Sequence, residues 1–219
     1  MSRYDLIING LHVLELLACI AGFLSWKKIK DTYWKWFPFY LLLIVIAEVT
    51  AIFVNNYQGV KAGAGIYRYF AMPLQMLFFF WLFYQEFKPY RRRVLPVIAT
   101  LLFIGAYIYE LVAVGTLEGW INSFSYTVGN VLLAGLIIVF FLRFIQTDRL
   151  LNFKADTMFW VSIGALIFYV GSLPYYGLYN ILRTDENMHI LVIYWYFQMA
   201  FNYLMYTCFI IAFLWGRPK

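Results

Sequence analysis

Residues 37–55 read FPFYLLLIVIAEVTAIFVN, an apolar run that is long enough to cross a lipid bilayer and that holds a single charged side chain, Glu48. A transmembrane helix needs about 20 predominantly apolar residues, because the hydrocarbon core is about 30 Å thick. Six further runs of this kind occur in the chain. The seven predicted crossings are residues 6–25, 37–55, 68–86, 94–114, 120–143, 157–178 and 189–215.

The composition of the whole chain agrees with these crossings. Of its 219 residues, 64% are hydrophobic and 22% are aromatic, whereas globular domains contain about 45 to 50% apolar residues. The crossings leave only short loops between them. We therefore predict an all-α membrane protein whose residues 1–219 form one integral membrane domain, with no soluble domain attached.

The orientation follows from the lysines and arginines, because cytoplasmic loops are enriched in them. With the N-terminus outside, the inside holds 13 of these residues and the outside holds Arg3, Lys61, Arg68 and Arg183. The sequence thus predicts an outside N-terminus and a cytoplasmic C-terminus. The basic residues that give the net charge of +6 cluster next to the ends of the crossings, where membrane lipid with anionic headgroups is the expected partner. Nucleic-acid binding is not expected.

Five of the crossings carry a strongly polar side chain near their middle. Such residues are costly in a bilayer and usually face a cavity, a partner helix or a functional pathway. The fourth crossing has none, so we expect it at the periphery. The central polar residues are Glu15, Glu48, Gln75, Asn130 and Asn202.

Tyrosines and tryptophans are frequent in the parts of the crossings that the predicted topology places in the outer half of the bilayer. Interfacial belts account for most of them, but Tyr169 and Tyr203 continue inward beside the polar residues. We therefore predict a small-molecule ligand site, in an outward-facing aromatic cavity with a polar floor. The predicted ligand-binding residues are Glu15, Glu48, Gln75, Asn130, Tyr169, Asn202 and Tyr203.

A simpler interpretation of the polar residues is structural. Buried amides and carboxyls hydrogen-bond between helices at about 0.6 kcal/mol each. The two glutamates fit this interpretation less well, since a carboxylate is costlier than an amide in a membrane, and two at one depth can share a proton.

A faint internal repeat is also present. Residues Tyr69, Phe70, Met72, Gln75 and Leu77 match Tyr196, Phe197, Met199, Asn202 and Leu204 at the same spacings. This match predicts a 3+1+3 pseudo-repeat in which the fourth crossing is a linker.

Several chemistries lack the residues that they need. The last crossing has no lysine for a retinal Schiff base, and His12 and His189 are the only histidines; no cofactor and no metal are expected. His12 and Glu15 share a helix face at i, i+3, which suits a buried pair, a proton relay or half of a metal site. Cys19 and Cys208 are expected to be packing residues.

Two local features concern the backbone. Pro73 and Pro174 each predict a kink or a hinge within a crossing. Gly59, Gly63 and Gly65 predict a flexible connection between the second and third crossings.

Three functions remain open. The first is a non-enzymatic receptor or sensor that passes a change in its helices to a separate cytoplasmic signalling protein. The second is a small-solute transporter of 3+1+3 architecture. The third is an intramembrane enzyme that uses Glu15 and Glu48 as acid and base.

The run from Met158 through Tyr169, together with the segment around Asn202, resembles uncharacterised standalone seven-helix proteins of bacteria. Members of that group are associated with histidine kinases as sensor modules, and the resemblance implies the first function and a location in the bacterial inner membrane. A weaker likeness to sugar and vitamin carriers, carried by Gln75 and Asn202, implies the second.

Overall fold

A computed structural model describes residues 3–90, 92–113, 123–182 and 188–217, and this part of the chain is almost entirely helical. Short 3₁₀ segments cover Tyr33–Lys35, Lys88–Tyr90 and Asp148–Ala155, and a π-helical turn covers Tyr67–Ala71. The α-helices are α1 (Arg3–Leu24), α2 (Trp26–Ile29), α3 (Trp36–Gln58), α4 (Val60–Ile66), α5 (Met72–Phe87), α6 (Val94–Ala113), α7 (Ser123–Phe144), α8 (Thr157–Gly171), α9 (Leu173–Leu182) and α10 (Met188–Trp215).

Seven spans in the described residues are long and apolar enough to cross a membrane, which confirms the prediction of an all-α membrane protein. Residues 114 and 120–122 of the predicted crossings lie outside the described part. The spans are Leu6–Leu24, Tyr33–Gln58, Ala62–Phe87, Val94–Val112, Ser123–Phe144, Thr157–Tyr179 and Met188–Trp215.

Many large apolar side chains along these spans are exposed on the surface of the structure. Leu101 is 64% exposed, Val49 61% and Val13 57%. Such exposure would be unfavourable in water but is expected of a surface that faces lipid tails. The span of α6 buries the smallest share of its residues, 22% against 33–50% for the other described spans.

The described residues divide into two compact units, each built from separate stretches of sequence. The first unit comprises Met1–Ile46, Ile137–Gly171 and Tyr196–Lys219, and the second comprises Ala47–Leu136 and Ser172–Trp195. In the first unit, the ring of Phe37 meets those of Phe209 and Phe213 edge to face, at 5.1 and 5.4 Å. In the second, Phe80 is fully buried and its ring lies 5.9 Å from that of Phe103.

Glycines let helices approach closely within the first unit. A Cβ atom at Gly164 of α8 would lie 2.8 Å from the Cβ atom of Cys208 and 3.1 Å from the carbonyl oxygen of Met205, both on α10. Small residues serve this purpose in membrane bundles, where van der Waals packing replaces the hydrophobic effect as the force between helices.

The expected flexible connection at the three glycines is wrong, because Val60–Ile66 forms the helix α4. Only Gly59 makes the turn, with φ of +88°, a conformation that suits glycine. Gly63 allows α4 to pack against α3, since a Cβ atom there would lie 2.9 Å from the carbonyl oxygen of Ala51 and even closer to the side chain of Asn55.

Helical continuity is interrupted within two of the spans. The π-helical turn Tyr67–Ala71 precedes α5, and α8 ends at Gly171 before α9 begins at Leu173. Pro73 and Pro174 each lie at the second residue of the new helix. Pro174 follows the break between α8 and α9, where the missing N–H of a proline loses no intrahelical partner. Pro73 follows the π-helical turn through backbone that stays helical at Ala71 and Met72.

The C-terminal end of α10 is fixed by polar contacts within the first unit. The Lys28 ammonium group donates to the carbonyl oxygen of Leu214 at 2.9 Å, and the backbone N–H of Arg217 donates to the carbonyl oxygen of Ala155 at 2.7 Å. A cation at a helix C-terminus is favoured by the helix dipole.

An ion pair closes the connection between α7 and α8. Arg149 contacts the carboxylate of Asp156 through Nη2 at 2.7 Å and Nε at 2.8 Å. The other carboxylate oxygen of Asp156 accepts a hydrogen bond from the backbone N–H of Phe159 at 3.0 Å, which caps the start of α8. Lys28 and Arg149 therefore stabilise the fold locally.

The close packing at Gly164 predicts the effect of adding one methyl group. Gly164→Ala should destabilise the protein by about 1 to 3 kcal/mol, because overpacking forces the neighbouring backbone apart. Gly105→Ala is the matched control, since a Cβ atom at Gly105 would have nothing within 4 Å; it should leave stability unchanged or raise it by at most about 1 kcal/mol. Unfolding in detergent, followed by near-ultraviolet circular dichroism, measures both variants, and an equal response to both would contradict the packing.

Candidate functional site

Glu15 is the carboxylate that the first unit buries most completely within a span. It lies in α1 and is 4% exposed. One turn earlier, His12 places its Nδ1 atom 3.5 Å from the Oε2 atom of Glu15. The i, i+3 spacing on one helix face brings the two side chains together, as the sequence predicted.

Two tyrosines from other helices complete this cluster. Tyr40 of α3 is 3% exposed and lies close enough to Glu15 for the charge of the carboxylate to act on its hydroxyl group. Tyr169 of α8 is fully buried, and its hydroxyl lies close enough to that of Tyr40 for the two to interact. We call His12, Glu15, Tyr40 and Tyr169 the Glu15 network.

The Glu15 network is short of hydrogen-bond donors. The Oε2 atom of Glu15 is sealed from solvent and accepts no hydrogen bond from the described residues. A buried carboxylate oxygen without a donor is unfavourable by several kcal/mol in an apolar medium. The neighbouring imidazole of His12 is thus the group best placed to supply a proton to it.

The α10 residues predicted for the site lie in the same unit. Tyr203 is half-buried and donates its hydroxyl hydrogen to the carbonyl oxygen of Ile7 at 2.8 Å. Gly10 leaves room for this contact, because a Cβ atom there would lie 2.3 Å from the Tyr203 hydroxyl. Asn202 is half-buried beside it in sequence. Tyr203 therefore joins α10 to the first half of α1.

The other predicted residues belong to the second unit. Glu48 is half-buried and accepts a hydrogen bond from the hydroxyl of Tyr67. Asn130 is fully buried; its amide nitrogen donates to the hydroxyl of Ser172 at 3.3 Å, while its Oδ1 atom accepts nothing from the described residues. Gln75 is half-buried.

The structure thus brings Glu15 and Tyr169 into one network, through Tyr40, and gives Glu48 and Asn130 partners of their own. A cavity shared by all seven predicted residues stays a prediction.

Sequence reasoning missed Tyr40, Arg68 and Glu110. Tyr40 lies near the start of its span, where an interfacial role is the ordinary explanation. Arg68 was taken as an outer basic residue, yet it is 5% exposed within the π-helical turn and its guanidinium carbon lies 5.5 Å from the ring of Tyr69. Its position inside an apolar run was the available signal.

Glu110 acts as the N-terminal cap of α7. Its carboxylate accepts hydrogen bonds from the backbone N–H groups of Phe124 at 3.0 Å and Ser125 at 2.8 Å, and from the Ser125 hydroxyl at 2.5 Å. An anion at a helix N-terminus is stabilised by these N–H groups and by the dipole. The three donors account for the burial of Glu110 within the second unit.

A shallow crevice between α5, α6 and α7 in the second unit is too narrow to hold a water molecule. In the same unit α5 and α7 touch, since a Cβ atom at Gly129 would lie 2.9 Å from the sulfur of Met76. The lining residues are Met72, Pro73, Phe103, Tyr107, Ser125 and Tyr126.

The described residues contain no group of three or more His, Cys, Asp and Glu side chains that is arranged to hold a metal ion. Cys19 and Cys208 are separate free thiols, and that of Cys19 is buried against the carbonyl oxygen of Pro38 at 3.8 Å.

The contact between Tyr40 and Tyr169 predicts an energetic coupling. In a double-mutant cycle of Tyr40→Phe and Tyr169→Phe, we expect a coupling free energy of about 0.6 kcal/mol, within the range found for hydrogen bonds between membrane helices. Equilibrium unfolding in mixed micelles measures it. A cycle that replaces Tyr169 and the 76% exposed Tyr57 should be additive, and additivity in both cycles would contradict an interaction between the two buried hydroxyls.

Comparison of the chain with protein-family models, with curated proteins and with solved structures finds no match.

Proposed function

We propose that this membrane protein is a non-enzymatic receptor or sensor that binds a small ligand from the outside and signals across the bilayer. In this proposal the ligand occupies an outward-facing aromatic cavity, and the Glu15 network forms the closed part of its polar floor. The full set of proposed ligand-binding residues is Glu15, Glu48, Gln75, Asn130, Tyr169, Asn202 and Tyr203.

The observation that carries the proposal is the Glu15 network itself. An ionisable side chain in the middle of a membrane span is costly and is generally retained for function. Here it connects side chains of α1, α3 and α8, and the members of a buried polar network polarise one another. A ligand that changes the contacts of one member therefore changes the relative free energies of helix arrangements, which is what a receptor requires.

The proposed orientation places the N-terminus outside and the C-terminus in the cytoplasm of a bacterium. The basic residues that the structure leaves exposed on the proposed inner side would then face anionic lipid and an acidic surface of a cytoplasmic signalling protein. The resemblance to sensor modules associated with histidine kinases supports this choice of partner. These exposed residues are Lys27, Lys28, Lys30, Lys88, Arg92, Arg93, Lys154 and Arg217.

A second candidate is a small-solute transporter of 3+1+3 architecture. It is favoured by the interrupted helices at Tyr67–Ala71 and Ser172, because transporters often build their substrate sites from broken helices at the membrane midplane.

Substitution of the two glutamates tests the receptor. A panel of amino acids, sugars and small acids is titrated against the purified protein while the fluorescence of its eight tryptophans is followed. For the ligand found in this way, Glu15→Gln and Glu48→Gln should each weaken binding at least tenfold while membrane insertion and helix content stay unchanged. The loop variant Asp31→Asn, whose side chain is 85% exposed, should bind as the unmodified protein does. If both glutamate variants bind normally, the glutamates only hold helices together.

Transport separates the two candidates. The protein alone is reconstituted in liposomes with the same ligand in radiolabelled form. A receptor should bind the ligand without moving it into the liposomes, whereas saturable uptake in the absence of any partner would establish the transporter.

A further inference from the structure

We infer that His12 and Glu15 together form an intramembrane proton-binding site, in which one proton bridges the Nδ1 atom of His12 and the Oε2 atom of Glu15. The inference deepens the proposed function, on which it rests, because it names the proton as a second ligand of the receptor. The protonation of this pair then sets the charge in the network that the receptor uses.

The geometry of the pair supports this site. Nδ1 and Oε2 are 3.5 Å apart, slightly beyond the usual length of an N–H···O hydrogen bond. The Oε2 atom is sealed and accepts no hydrogen bond from the described residues. A proton on Nδ1 draws the two atoms together and supplies the missing donor, so the pair gains a charge-assisted hydrogen bond on binding it.

The change in the net charge of the pair favours proton binding. Without the proton, the pair carries one buried negative charge, which is costly in an apolar environment. With the proton, an imidazolium and a carboxylate lie side by side and the pair has no net charge. The pair is therefore expected to be occupied at low pH and empty at high pH.

The two side chains differ in the fraction of their surface that is exposed. Glu15 is almost fully covered, whereas 25% of the His12 side chain is left uncovered by the chain. His12 also lies nine positions from Arg3, about 13 Å along the axis of α1. His12 is thus the more accessible member of the pair, and in this proposal the proton reaches Glu15 through it.

The other ionisable groups within the spans of the first unit do not compete for this proton. Histidine is the side chain whose charge ordinarily changes between pH 5 and 8. Phenols and thiols remain protonated over most of that interval, and guanidinium and ammonium groups keep their charge. The groups concerned, on the described residues of the helices and 3₁₀ turn of this unit, are Cys19, Tyr33, Lys35, Tyr40, Arg143, Tyr169, Tyr196, Tyr203, Tyr206 and Cys208.

Proton binding has a direct consequence for the rest of the network. The carboxylate charge of Glu15 acts on the hydroxyl of Tyr40, which interacts in turn with that of Tyr169. When a proton compensates this charge, the interaction between the two tyrosines changes as well. The site on α1 is thereby linked to α3 and α8.

Nitrogen NMR of the histidine side chains tests the inference. The chain has two histidines, so His189→Gln, at the exposed start of α10, leaves His12 as the single ¹⁵N-histidine signal of the protein in lipid nanodiscs. We expect His12 to bind one proton between pH 8 and pH 5, with the proton on Nδ1 in a strong hydrogen bond. A His12 that stays neutral throughout, or that binds its proton without a hydrogen bond at Nδ1, would overturn the proposal.

Substitution of the partner completes the test. Glu15→Gln should lower the proton affinity of His12 at least tenfold, a shift of one pH unit or more, while Asp31→Asn, whose side chain is 85% exposed, should leave the titration unchanged. Equal titrations in the protein with Glu15 and in Glu15→Gln would refute the paired site. Should Glu15→Gln not fold, the Nδ1 signal of the protein with Glu15 intact still decides the question.

Failure of the proton site can be distinguished from failure of the proposed receptor function. Tryptophan fluorescence at fixed pH reports binding of the small ligand in the same nanodiscs. Ligand binding without titration of His12 would remove the proton site and leave the receptor, whereas titration of His12 without any ligand response would remove the receptor.

Discussion

The structure depends on one constraint, that hydrocarbon offers no hydrogen-bonding partner to a polar group. Backbone N–H and C=O groups meet it by forming helices throughout the described spans, and polar side chains meet it by finding one another. Glu110 is satisfied by three donors at the start of α7, and Tyr203 by a backbone carbonyl of α1. Glu15 and Asn130 each keep a sealed oxygen without a donor among the described residues. Of the two, only Glu15 can carry a charge, which makes it the centre of the proposed site.

The same constraint shapes the backbone. Helices that cannot rely on the hydrophobic effect for their mutual attraction need close packing, and Gly10, Gly63 and Gly164 let side chains or backbones of neighbouring helices approach where a methyl group would collide. Pro174 falls within the first turn after the break at Ser172, at little cost to backbone hydrogen bonding, and Pro73 follows the π-helical turn Tyr67–Ala71.

The sequence was sufficient to predict the spans, because crossing a bilayer depends on length and composition alone. It also predicted that His12 and Glu15 lie together, since both are on one helix at a fixed spacing. It was insufficient for partners on different helices. Nothing distinguished Tyr40 from the many tyrosines that settle at interfaces, and Tyr67 lay just outside the predicted third crossing, in a region mistaken for the end of a glycine-rich loop. Such partners depend on how each helix is rotated about its axis, which tertiary packing decides.

We infer that the Glu15 network is closed to water on the side of Cys19, which lies one turn beyond Glu15 on α1 and is 3% exposed. The rate at which a water-soluble thiol reagent modifies Cys19 in lipid nanodiscs tests this closure, in a Cys208→Ser background that leaves one cysteine. No modification is expected until the protein is unfolded, while a cysteine introduced at the exposed position Tyr57 should react at once. Modification of Cys19 in the folded protein at a rate near that of the exposed cysteine would instead show a water-filled hollow in place of the closed network.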